Sequence, residues 1–157
     1  SYFIYKFGEN HVRVDLPPTE HEIDVFVYNK PYSIKTITGK GGVKVVWTVD
    51  REKVLHFIKN YSPKCDLILV NIHWDKEGCL FLIPLEVQKE VFSQLGVDKY
   101  LKAPKEGTNP RGVEFSKETM LRLLAHPKTL KIPIQWKKQP LSFSIFERWL
   151  EAWVDIN

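Results

Sequence analysis

The stretch that decides the fold begins with Glu22-Ile23-Asp24-Val25-Phe26-Val27, continues through Tyr28-Asn29-Lys30-Pro31 and ends with Tyr32-Ser33-Ile34-Lys35-Thr36-Ile37-Thr38. Apolar and polar residues alternate through both outer parts, which is the period of a half-buried β-strand. Asn and Pro in the middle part are typical of a turn. The stretch from Glu22 to Lys35 therefore predicts a β-hairpin.

The register of this hairpin decides which side chains meet. If Asn29 and Lys30 are the two turn residues, Tyr28 faces Pro31 and Asp24 lies opposite Lys35. Directly opposed residues share a face, with Cβ atoms ~5 Å apart. The polar side then carries Glu22, Asp24, Ser33 and Lys35. The apolar side carries Ile23, Val25, Val27 and Ile34, and we expect it to face the core.

The polar side of the hairpin has two interpretations from the residues alone. Carboxylates beside a lysine suit metal-assisted hydrolysis of a phosphodiester, because one or two carboxylates hold Mg²⁺ while an ammonium orients water and offsets phosphate charge. The other interpretation is a cross-strand Asp–Lys ion pair on a solvated face, which contributes about 1 kcal/mol at most. Geometry does not choose between them.

The same residues resemble the core of the PD-(D/E)XK nucleases, as found in small type II restriction endonucleases. In that pattern Asp24 falls on the first Asp and Lys35 on the lysine. The resemblance implies a restriction-endonuclease-like α/β fold, with a central mixed sheet flanked by helices. It also implies Mg²⁺-dependent, site-specific cutting of double-stranded DNA by a homodimer in the cytoplasm of a prokaryotic cell.

Two positions depart from the family pattern. Ile23 replaces the Pro before the first Asp, and Ser33 replaces the acid two residues before the lysine. Serine is a poor Mg²⁺ ligand, so a second carboxylate must come from elsewhere. Glu22 is the nearest candidate, Glu20 is the second, and a glutamate on a helix before Ser1 is the third. The resemblance thus gives Asp24, Lys35, Ser33 and Glu22 as catalytic residues, with Asp24 and Glu22 as metal ligands.

Periodicity and capping residues predict the elements after the hairpin. They are a strand Val43–Val49, a helix Arg51–Asn60 capped by Asp50, strands Cys65–Trp74 and Gly78–Pro84, a helix Leu85–Leu95 ended by Gly96, a helix after Ser116, an edge strand Leu130–Trp136 and an aromatic helix Ser142–Val154. We expect the last helix to pack on the core or to form the dimer contact.

Basic residues in two loops are candidates for contacts with DNA. The Pro- and Gly-rich segment Leu101–Gly112 includes Lys105, Asn109 and Arg111, and Arg and Asn are the side chains that most often hydrogen-bond guanine and adenine. Lys40 and Lys44 flank the Gly-rich turn after the hairpin, where they are placed to meet phosphates. The alternative for both loops is an ordinary solvated surface.

Bulk composition limits the remaining choices. The 157 residues suit one domain, residues 1–157, and the absence of an initiating Met suggests that residues precede Ser1. No apolar run approaches the roughly 20 residues that span a bilayer, and we expect Cys65 and Cys79 to be free thiols. The sequence lacks a P-loop and a dinucleotide fingerprint, so no nucleotide cofactor is expected. The rivals are a repair or junction-resolving nuclease, a DNA-binding module without catalysis, and a protein-interaction domain.

Overall fold

The computed structural model describes residues 2–16, 22–38, 42–48, 50–104 and 112–138, in which helices and strands alternate. The elements are α1 (Tyr2–Phe7), a 3₁₀ turn (Glu9–His11), β1 (Val12–Arg13), β2 (Val25–Val27), β3 (Lys30–Thr38), β4 (Lys44–Val46), α2 (Arg51–Asn60), β5 (Asp66–Ile72), β6 (Glu77–Ile83), α3 (Leu85–Leu95), α4 (Val97–Tyr100), β7 (Leu101–Lys102), β8 (Val113–Phe115), α5 (Lys117–Ala125) and β9 (Leu130–Gln135). The predicted aromatic helix Ser142–Val154 lies outside these residues. None of the helices described is long and apolar enough to cross a membrane.

The main sheet has six strands in the order β1-β2-β3-β5-β6-β9. β3 and β5 are parallel, and the other neighbours are antiparallel, so the sheet is mixed as predicted. A parallel pair needs a crossover connection, and α2 lies within it. The edge position predicted for β9 is confirmed. The mixed α/β fold expected from the sequence is therefore observed.

Capping residues fix the helices where the sequence places them. The Asp50 carboxylate accepts hydrogen bonds from the backbone N–H groups of Glu52 and Lys53, which α2 would otherwise leave unpaired. Ser116 does the same at α5 by accepting from Thr119 N–H. Gly96 ends α3 with φ 71°, a conformation that glycine adopts without strain. The predicted bounds of α2 and α3 are both confirmed.

The turn of the hairpin differs from the prediction. Tyr28 and Asn29, and not Asn29 and Lys30, are the turn residues, with φ values of 48° and 62°. Two positive φ values match the right-handed twist of a two-residue hairpin. The partners are consequently Val27 with Lys30 and Val25 with Tyr32, which places Asp24 beside Ser33 instead of Lys35. This change moves the pairing by two residues, so every side chain keeps its face.

The third predicted strand belongs to a different sheet. β4 pairs with β8, and β8 pairs with β7, in a separate sheet of order β4-β8-β7. The sequence predicted a strand at Val43–Val49, and the structure has a shorter strand there, Lys44–Val46. Residues almost seventy positions apart in the chain supply the pairing, and local periodicity carries no information about such a partner.

The main core lies on the same face of the sheet as the polar side chains of the hairpin. Ser33 pairs with Leu67 and Lys35 with Leu69, so these side chains share a face. Leu67 and Leu69 belong to the main buried cluster, together with Val54 of α2 and Val87 and Val91 of α3. Val25 and Val27 are buried as expected, but on the opposite face. Ile34 is only half-buried, so the expectation that its side faces the main core is wrong.

The opposite face carries an apolar groove. Phe3 of α1 covers part of it, with its ring centroid 6.4 Å from that of Tyr32. Ile68, Leu80 and Leu82 line the groove, which has a volume of about 480 Å³. Both faces of the sheet therefore bury apolar side chains, as is typical of the centre of an α/β fold.

Candidate active site

Asp24 stands at the entrance to β2 and accepts three contacts through one oxygen. Its Oδ2 accepts hydrogen bonds from Ile34 N–H at 2.6 Å and from Ser33 Oγ at 3.1 Å. The Nζ of Lys35 lies 3.6 Å from the same oxygen. Asp24 N–H also donates to the Tyr32 carbonyl at 2.9 Å, which extends the hairpin to this residue. The structure thus brings Asp24, Ser33 and Lys35 together on one face.

Ser33 occupies the position where the resembled pattern has an acid. Its side chain is buried, and its hydroxyl donates to the carboxylate of Asp24. This hydroxyl and the Ile34 N–H donate to the same oxygen, and two donors together restrict the orientation of the carboxylate. Ser33 therefore acts on Asp24 and does not add a negative charge.

Glu22 lies in the turn before β2 and lines the same small pocket as Ser33 and Lys35. Burial raises the pKa of its carboxyl, and the positive charges of Lys64 and Lys35 offset part of that rise. Its carboxylate oxygens accept no hydrogen bond from any residue in the described part of the chain. A half-buried carboxylate in this state gains from a nearby cation, since burial disfavours its charged form.

Cys65 lies beside Glu22, immediately before β5. Its thiol donates to the Glu22 carbonyl at 3.5 Å. Burial raises the pKa of this thiol to about 11, and the negative charges of Glu22, Asp24 and Asp66 raise it further, with Glu22 the largest. Glu22 lines the pocket together with Ser33 and Lys35, the two side chains that contact Asp24, so both carboxylates lie beside the same two residues. Cys65 is a free thiol at this pocket.

The walls of the pocket come from parts of the chain that the sequence did not connect with it. Val45 of β4 and Phe115 of β8 close it from the second sheet, while Lys64 brings a further positive charge. Gln88 of α3 donates to the Cys65 carbonyl at 2.8 Å and fixes the start of β5. Sequence reasoning missed Lys64, Cys65 and Gln88 as neighbours of the site, because only tertiary contacts bring them there.

The donor set fits a hard divalent cation better than zinc. Within the described ranges, no group of three or more His, Cys, Asp or Glu side chains converges as a structural zinc site requires. Mg²⁺ is held by one or two carboxylates and keeps several waters and substrate phosphates as its other ligands. Asp24 and Glu22 supply that number of carboxylates, and Glu22 is available because its oxygens accept no other hydrogen bond.

Glu22→Gln is expected to stabilise the metal-free protein at neutral pH. Because the pKa of Glu22 is raised on folding, the folded state is favoured when the carboxyl is protonated, and that stability is lost as pH rises above the ordinary value of 4.5. The neutral amide removes this loss. Tm should rise by about 2 °C at pH 8 and should not change at pH 4. Differential scanning calorimetry in EDTA checks this; an equal change at both pH values would contradict it.

A family model described as "Restriction endonuclease ThaI" matches residues 1–155. The chain belongs to the ThaI restriction endonuclease family. A solved structure described as "Restriction endonuclease in complex with substrate DNA" shares 48% sequence identity with it at a TM-score of 0.90, over 98% of this chain and 74% of that one. No curated protein matches. The protein is thus a type II site-specific deoxyribonuclease, as the resemblance of the hairpin residues implied.

The structure of this ThaI-family enzyme describes one of the five residues predicted to contact DNA. Lys40, Lys105, Asn109 and Arg111 lie outside the described residues. Lys44 lies in β4, where its Nζ forms an ion pair with Glu114 and lies 5.7 Å from the centre of the Trp47 ring. The Glu114 carboxylate therefore partly balances the charge of Lys44 in the absence of DNA.

Proposed function

We propose that this enzyme hydrolyses a phosphodiester of double-stranded DNA at a centre formed by Asp24, Glu22 and Lys35, with Ser33 as the residue that positions Asp24. The observation that carries the proposal is the 3.6 Å approach of Lys35 Nζ to Asp24 Oδ2, on the face where Glu22 also lies. One acid and one amine are held side by side, with a second acid within the same pocket. This is the minimum set for metal-assisted cleavage.

Asp24 and Glu22 would hold Mg²⁺ at this centre. When bound there, Mg²⁺ supplies positive charge to the phosphate oxygens and lowers the pKa of a water. The ammonium group of Lys35 lies beside Asp24, where it would orient the attacking water and offset the charge of the phosphate. Ile34 N–H and Ser33 Oγ keep one carboxylate oxygen of Asp24 fixed, which reduces the reorganisation needed when substrate binds.

The position of the lysine distinguishes this pair from an ordinary surface ion pair. The Lys35 side chain is 21% exposed and stands on the core face of a central strand, while the Asp24 side chain is 41% exposed and open to solvent. A surface pair contributes about 0–1 kcal/mol and explains no second carboxylate beside it. Glu22 makes the site less favourable in the absence of a cation, because its buried charge raises the free energy of the folded state. Such a cost is typical of functional positions.

The remaining partners follow from the reaction. Cutting both strands at one site needs two active centres, so we propose a homodimer of this one-domain chain. Sedimentation velocity should then give a mass about twice the 18.4 kDa of one chain; a single-chain mass at micromolar concentration would contradict it. The proposed compartment is the prokaryotic cytoplasm, where such an enzyme meets foreign DNA; fractionation of the source cells tests it.

The metal is tested by binding and by cleavage together. A mixed-sequence plasmid should give discrete fragments with Mg²⁺ and none with EDTA. In the absence of DNA, Mg²⁺ at a hundred times its Kd stabilises the folded state by about 2.7 kcal/mol. Mg²⁺ should therefore raise Tm in the parent and fail to do so in the Asp24→Ala, Glu22→Gln double variant. Equal shifts in both proteins would place the metal elsewhere.

A further inference from the structure

A second cation lies on the same face as the proposed centre, on the edge strand. Arg13 of β1 pairs directly with Phe26 of β2. Phe26 follows Asp24 by two residues on one strand, so these two side chains share a face. Opposed residues of neighbouring strands also share a face, which places Arg13 on the side of Asp24, Ser33 and Lys35.

The guanidinium of Arg13 lies over an aromatic ring. Its central carbon lies 4.4 Å from the centre of the Phe26 ring. A cation–π contact of this kind does not occupy the five N–H donors of the guanidinium in hydrogen bonds. Arg13 is exposed, and no carboxylate of the described residues lies within ion-pair distance of it. The donors are therefore available at the surface, where a guanidinium can bind a phosphate through two of them.

Arg13 lines an open hollow beside the hairpin with a volume of about 530 Å³. His11 and Tyr28 form one wall, with their rings stacked at a centroid distance of 4.4 Å. Glu9 and Asp15 also line the hollow, so it is not uniformly basic. An extended anion that contacts Arg13 only at the edge nearest Asp24 would avoid the carboxylates of Glu9 and Asp15. A small anion that fills the hollow would lie close to them.

Sheet geometry gives the distance between Arg13 and the proposed centre. Residues two apart on a strand are separated by about 6.8 Å, and neighbouring strands by about 4.8 Å, so the Cα atoms of Arg13 and Asp24 are roughly 8 Å apart. A DNA strand advances about 3.4 Å along the helix axis for each nucleotide. A backbone that places one phosphate at Asp24 thus brings another, one to three nucleotides away, within reach of the Arg13 side chain.

We propose that Arg13 binds a backbone phosphate of the DNA strand that crosses the Asp24 face, and that Phe26 holds the guanidinium in position for it. The inference rests on the proposed active centre for the path of the strand. Arg13 contributes affinity and alignment of the scissile phosphate without reading the base sequence, because phosphates are the same at every nucleotide.

The salt dependence of binding tests the contact. In EDTA, where no cleavage is expected, binding of a mixed-sequence duplex is measured over a series of salt concentrations for the parent, Arg13→Gln, Arg13→Lys and the control Arg122→Gln. Arg122 lies in α5 and is paired with Glu118 at 2.7 Å, so its change removes the same charge away from the site. Arg13→Gln should lower the slope of log K against log salt by about 0.9. Arg13→Lys and Arg122→Gln should keep the parental slope.

Two results would overturn the proposal. An unchanged slope in Arg13→Gln, with a lower Tm, would mean that the guanidinium only covers Phe26. An equal loss of slope in Arg122→Gln would mean that overall charge, and not a contact, governs binding. The same titration in an Asp24→Ala background separates this inference from the proposed centre: a lowered slope in a variant that still cuts DNA would retain the phosphate contact and reject the centre.

Discussion

Asp24→Ala is expected to reduce cleavage of DNA by at least about 10³-fold while leaving DNA binding in place. The metal's stabilisation of transition-state charge amounts to several kcal/mol, and each 1.36 kcal/mol corresponds to a tenfold change in rate. Asp24 also receives the Ser33 and Ile34 donors, so its removal leaves the centre without its fixed acid. Binding should persist because removing a negative charge does not weaken attraction to phosphates.

Single-turnover cleavage of a plasmid with Mg²⁺ measures this loss, and gel-shift titration in EDTA measures binding. Asp98→Ala is the matched control, since Asp98 is exposed in α4 and is not among the residues that line the pocket. The control should cut like the parent. If Asp24→Ala cleaves DNA at the parental rate, the proposed centre is wrong, whatever the effect of the change on metal binding.

Lys35→Met is expected to reduce the single-turnover rate by about 10²- to 10³-fold, which is the lower part of the range for loss of a group that transfers a proton. Methionine keeps much of the apolar stem that packs on the core face, and it removes the ammonium beside Asp24. Lys35→Arg should recover only part of the rate, because a planar guanidinium does not place its charge where a compact ammonium does.

The rate of the Lys35 variants is best followed across pH. If the amine acts in the reaction, the parent and Lys35→Met should differ in the pH dependence of the rate as well as in its size. Lys89→Met is the control, because Lys89 is exposed on α3 and its removal changes the net charge equally. If Lys35→Met and Lys89→Met lose cleavage rate equally and their pH profiles are parallel, Lys35 has a general electrostatic role and no place in the centre.

The parts of the fold that local rules govern could be predicted from the sequence. The Asp50 cap and Gly96 gave the bounds of α2 and α3, because these residues satisfy or release backbone groups within one turn of the helix. Alternation in the hairpin gave the face shared by Asp24 and Lys35. Family membership then confirmed the type of enzyme, while the roles of the individual site residues remain predictions.

Other features could not be predicted because they depend on distant pairings. The β4–β8 sheet joins segments almost seventy residues apart, and Cys65 meets Glu22 across 43 positions. The turn was misplaced for a local reason: Tyr28 adopts a positive φ that a bulky residue normally avoids. It contacts His11 of the 3₁₀ turn: the two rings stack, and Tyr28 N–H donates to the His11 carbonyl at 2.9 Å.

Lys35 lies on β3, and its partner on the neighbouring strand β5 is Leu69, one of the most deeply buried residues described. A change of side-chain volume at Leu67 or Leu69 is therefore expected to alter the position of Lys35 as well as the stability of the fold. Heat tolerance and turnover should then change together in variants at these two positions.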